Sequence, residues 1–107
     1  LRAERRPSSP VALLHLMEAT RHPLAACHLL VDAMEALVLA RTQLDKSVTS
    51  DFYGGAAVIA ASFTAVMMAV NANLETDLAA DMMQRTESGR AELQARLQDA
   101  TDNLGLS

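Results

Sequence analysis

The chain has 107 residues, half of them apolar, with 3% aromatics, no tryptophan and a net charge of −4. That length makes one domain, able to bury roughly two-thirds of the surface its unfolded chain exposes. The acidic balance argues against nucleic acid as a partner, since phosphate neutralisation needs clustered Lys and Arg.

Cys27 is the single cysteine, which excludes an intrachain disulfide framework and fits a cytoplasmic protein. Alanine, leucine and methionine are strong helix formers, and the few glycines and prolines sit at punctuation points. The expected fold is all-α, a bundle of four to five helices.

Residues 1–8 read as a flexible tail, with Arg2, Arg5 and Arg6 against Glu4, and residues 9–107 as the folded domain. The polar N-terminus does not read as a signal peptide. Ser9-Pro10 is a helix start, a cap followed by proline at the first helical position. A short first helix is predicted to end before Pro23, because a residue preceding proline disfavours helical geometry. A second helix runs from Pro23 to about Lys46. Its broad apolar face carries Leu24, Cys27, Leu30, Val31, Met34, Leu37, Val38 and Leu44.

Residues 48–51 form a connection, with Ser50 or Asp51 capping the central helix. From Phe52 to Leu74 the chain carries no charged residue. On a helix, Ile59, Phe63, Val66, Met67, Val70 and Leu74 fall on one side. Ala57, Ala61, Ala65 and Ala69 recur every fourth residue on another. A helix apolar nearly all round is a buried one, so this one is expected at the centre of the bundle, packed on both sides. Its length raises a membrane span. Its flanks, Asp51 and Glu75, are acidic and set no topology, so a membrane partner is not expected.

A bend is predicted at Asn71–Asn73, because a straight helix would turn Asp77 and Asp81 into the core. Asn73 or Thr76 then caps a segment to about Arg85, and residues 86–89 separate off a last helix. There Leu93, Leu97, Ala100 and Leu104 form a narrow stripe, suited to the bundle or to a second subunit. Glu92 and Arg96 make an i,i+4 pair.

Candidate chemistry is sparse. His28, Asp32 and Glu35 share one face at i, i+4 and i+7, a set that can hold a divalent cation or form a solvated stripe on an apolar helix. His15, Glu18 and His22 share another face, but zinc would need a fourth ligand. No Glu-x-x-His di-iron signature, phosphate loop or nucleophile elbow occurs. Cys27, among apolar neighbours, reads as a structural thiol. Met67, Met68, Met82 and Met83 read as core filling or as the lining of an adaptable pocket.

The run HPLAACHLLVDAMEALVLA resembles the first core helix of the all-α nucleoside-triphosphate pyrophosphohydrolases, the MazG-like group. That resemblance implies a Glu-x-x-Glu magnesium motif, with Asp32-Ala33-Met34-Glu35 as its counterpart. NANLETDLAADMMQR is similar to the family's helix break followed by Asp-Leu and a basic residue, here Asp77, Leu78 and Arg85. The likeness spans about residues 22–90. The family's second acidic pair belongs near Ile59 and Ser62, where this chain has no carboxylate. Two-metal phosphoryl chemistry needs that charge.

The resulting expectation is a non-catalytic, homodimeric interaction module that holds a partner helix or a small apolar ligand, without a cofactor. A magnesium-dependent pyrophosphohydrolase, or an inactive relative of one, is the alternative.

Overall fold

The computed structural model describes residues 10–75 and 80–106. The tail, the Ser9 cap, Thr76, Asp77 and Leu78 lie outside them. The described chain is all-α. Three helices, α1 (Pro10–Ala40), α2 (Thr49–Leu74) and α3 (Ala80–Asn103), run up, down and up. Two short 3₁₀ turns, Arg41–Gln43 and Lys46–Val48, join α1 to α2. The expected four to five helices are therefore three long ones, because two predicted breaks do not occur.

The first absent break is Pro23, which lies inside α1. Proline has no N–H, so the carbonyl of Ala19, four residues earlier, loses its helical donor. Asn73 of α2 supplies one instead, its side-chain amide donating to the Ala19 carbonyl at 3.3 Å. Apolar residues continue on one face through the proline, Leu16 before it and Leu24 after it, and both pack on the same core. Tertiary packing thus outweighs the local preference.

The second is residues 86–89, which continue α3. Thr86 Oγ1 donates back to the Met82 carbonyl at 2.8 Å. Arg90 then gathers three acceptors: Thr86 Oγ1 at 3.1 Å, the Met83 carbonyl at 3.0 Å and Asn71 Oδ1 on α2 at 2.9 Å. The helix is stitched where composition suggested a loop. Likewise α2 runs through Asn71–Asn73 without a break and ends at Leu74. The described chain resumes at Ala80, where α3 begins.

The 3₁₀ turns replace the predicted end of the second helix near Lys46. Asp45 caps the second turn by accepting from the Ser47 N–H, and α2 starts at Thr49 without Ser50 or Asp51 as a side-chain cap. The far end of α3 closes with paired bonds, Leu106 N–H to Thr101 O at 2.8 Å and Gly105 N–H to Asp102 O at 3.1 Å. Gly105, at φ 73°, supplies the left-handed residue that this closure needs.

The core differs from expectation in its centre. Both other helices pack mainly on α1, while α2 and α3 touch each other less. One cluster joins Cys27 and Val31 of α1 to Phe63, Met67, Val70 and Leu74 of α2 and Leu93 of α3. A second joins Met34, Ala56, Ala100 and Leu104. The predicted apolar sides of α2 and α3 therefore face α1. The alanine ladder is not buried against another described helix: Ala57, Ala61, Ala65 and Ala69 are all exposed. α2 is packed on one side only.

Candidate functional site

Asp32 and Glu35 stand one turn apart on α1, at the edge of the buried face that carries Val31 and Met34. Arg96 stands at the edge of the α3 stripe formed by Leu93 and Ala100. Because α1 and α3 run parallel, these edges meet along one seam. Arg96 Nη2 donates to Glu35 Oε1 at 2.6 Å and to Asp32 Oδ1 at 3.0 Å, and Arg96 Nε donates to Glu35 Oε2 at 3.0 Å. The fork-on-carboxylate geometry at Glu35 is the stronger class of charged hydrogen bond.

The electrostatics follow from that geometry. Hydrogen bonding from Arg96 holds the Glu35 carboxyl below its usual range, with burial opposing and Coulomb attraction assisting. The Arg96 guanidinium is held above its ordinary value, first by the bond to Glu35 and then by that to Asp32. The carboxylates remain 63% and 42% exposed at Asp32 and Glu35. The pair is thus a wetted ion cluster that crosslinks α1 and α3. His28 lies exposed one turn before Asp32.

Arg96 therefore reaches α1 rather than making the local pair predicted with Glu92. An exposed i,i+4 pair contributes only a few tenths of a kcal/mol, and the two-carboxylate seat outcompetes it. Sequence reasoning singled out the acids but missed their partner. The available signal was positional, since charges flanking two apolar stripes are placed to meet across a helix seam.

The His15, Glu18 and His22 face is organised locally. Glu18 accepts from Arg21 at 2.8 Å and lies within 3.0 Å of His22 Nε2. The Arg21 hydrogen bond, more than any other cause, lowers the Glu18 pKa. Among the described residues, no group of three or more His, Cys, Asp and Glu side chains is placed to hold a metal ion. Arg85, a residue of the pyrophosphohydrolase-like run, pairs with Asp81 at 2.8 Å. Cys27 is fully buried, and burial pushes its thiol pKa up.

A different surface lies between α2 and α3. Two adjoining hollows of about 270 and 350 Å³ share Thr64, Leu97 and Gln98 and form an open groove. Its α2 wall runs from Ala57 to Asn71, and no charged side chain lines either hollow. Val58 and Met68 stand 65% and 66% exposed on α2.

Comparison of the chain with protein-family models, with curated proteins and with solved structures finds no match.

Proposed function

We propose that this chain is a non-catalytic helical interaction module, cytoplasmic and homodimeric. The observation that carries the reading is the outer face of α2. Over 23 residues it offers water no charge, only alanines, two glycines, Thr64, Val58 and Met68. Apolar surface of that extent is rare on a protein that works alone. The hollows beside it are open grooves, a shape that suits a partner helix better than a small apolar ligand.

The magnesium-dependent pyrophosphohydrolase reading is weaker. Of the two acidic pairs such chemistry needs, one is absent from the sequence and the other faces Arg96. α1 and α2 are each long and apolar enough to cross a membrane by length and composition. Yet a spanning α1 would carry at least two of Glu18, Arg21, Asp32 and Glu35 into lipid, at a cost of several kcal/mol.

Light scattering coupled to gel filtration, without detergent, tests the proposal. The expected result is a mass of twice 11.5 kDa and no magnesium-dependent release of pyrophosphate from nucleoside triphosphates. A monomer at every concentration sinks the dimer. Pyrophosphate release that disappears in Glu35→Gln would replace the module with the enzyme.

A further inference from the structure

The groove between α2 and α3 has a length, a neutrality and a taper, and together these select its occupant. Its α2 wall spans Ala57 to Asn71, about 21 Å at the rise of an α-helix. Gln94, Leu97 and Gln98 line the opposite wall, so both walls are uncharged. A charged occupant would leave its ions desolvated against unpaired neutral walls, which is costly. A helix of about four turns that carries no charge meets these walls without that loss whichever side it presents.

This chain contains one such segment. The uncharged runs 7–17 and 22–31 are shorter, and each contains histidine. The run 52–74 is long enough, and it already folds as α2 with its ladder exposed.

The taper fixes the direction. The Thr49 end of the groove is lined by Ala57, Ala60 and Ala61, and the Leu74 end by Met67, Met68 and Asn71. Two parallel copies would set methionine on methionine and leave a void between alanines. Two antiparallel copies set the bulky half of each against the small half of the other, the self-complementarity that a two-fold contact requires. The midpoint is Thr64, whose hydroxyl already donates to the Ala60 carbonyl at 3.2 Å and brings no unpaired polar group.

Resting on the homodimer reading, we infer that the groove seats α2 of a second copy, antiparallel, with the two-fold axis at Thr64. The two α2 helices and the two α3 helices then form a four-helix layer, with the α1 helices outside it. Two helix widths by 21 Å is about 400 Å² in projection per partner, half the usual share of about 800 Å² and in the range of weak, transient contacts. A reversible dimer that dissociates on dilution is expected.

Cysteine crosslinking combined with light scattering tests the seat. Thr64→Cys should form an intermolecular disulfide under mild oxidation. Leu39→Cys, on α1 and 80% exposed, should not, and the buried Cys27 leaves the parent as a blank. Ala61→Glu, exposed in the single chain, should keep its helical circular dichroism while its dimer dissociation constant rises at least about tenfold, since each dimer would bury two unpaired charges. A dimer by scattering that crosslinks through Leu39→Cys and not Thr64→Cys overturns this seat and leaves the homodimer standing. A monomer throughout overturns both. Recovery only in detergent or phosphatidylcholine vesicles also overturns both and assigns α2 to lipid.

Discussion

At the scale of single residues, fold-defining polar contacts cross between helices rather than running along them. Asn73 completes the hydrogen bonding that Pro23 interrupts in α1, so the two residues are energetically linked. Asn73→Ala should cost about 0.5–1 kcal/mol in the parent and little in a Pro23→Ala background, where the N–H is restored. A double-mutant cycle on urea denaturation reads the coupling; additive losses would mean that water serves the Ala19 carbonyl equally well. The Glu35–Arg96 bond makes a second claim, about pH. A carboxyl whose folded pKa is depressed stabilises the fold above its unfolded value of about 4.3 and loses that contribution as pH falls through the folded value. The melting-temperature gap between the parent and Glu35→Gln should therefore narrow as pH drops from about 6 to about 3. A gap of constant width would show that the Glu35 charge does not contribute.

At the scale of elements, two glycines show how helix context sets the sign of a substitution. Gly89 lies within α3, exposed, and an added Cβ there meets nothing within 4 Å. Gly89→Ala should stabilise by about 1 kcal/mol, a rise of several degrees in melting temperature for a chain this size. Gly105 has equal room but a φ of 73°, so Gly105→Ala should destabilise by about 1–2 kcal/mol. Paired thermal melts decide, and equal shifts would refute the closure assigned to Gly105. The same elements show where the sequence was legible. Periodicity identified the buried sides of α2 and α3, because a 3.6-residue repeat is local information. Local preference and composition overcalled breaks at Pro23 and at 86–89, because groups that sustain the helix there, Asn73 and Asn71 respectively, come from α2. The acidic pair was visible in α1, but its cation lies 61 residues from Glu35, beyond the reach of any spacing rule.

At the scale of the molecule, α1 is the strut on which the other two helices lean, and polar ties hold them to it along its length. Asn73 ties α2 to it beside Pro23, Arg96 ties α3 to it at Asp32 and Glu35, and Arg41, just past its last residue, donates to the Asn103 carbonyl. That last bond also places a cation at the negative end of the α3 dipole. Between the ties the interior is apolar and surrounds Cys27, Val31 and Met34. The position of Arg96 has a consequence for how such a chain is made. Synthesis runs from the N-terminus, so α1 and α2 are made before α3. During that interval Asp32 and Glu35 repel one another across a single turn, and like charges so spaced weaken a helix. The cation that relieves them, Arg96, belongs to a helix made after both α1 and α2. The strut is thus weakened around Asp32 and Glu35 until α3 has been made and docked, and a product cut short before Arg96 carries that weakness.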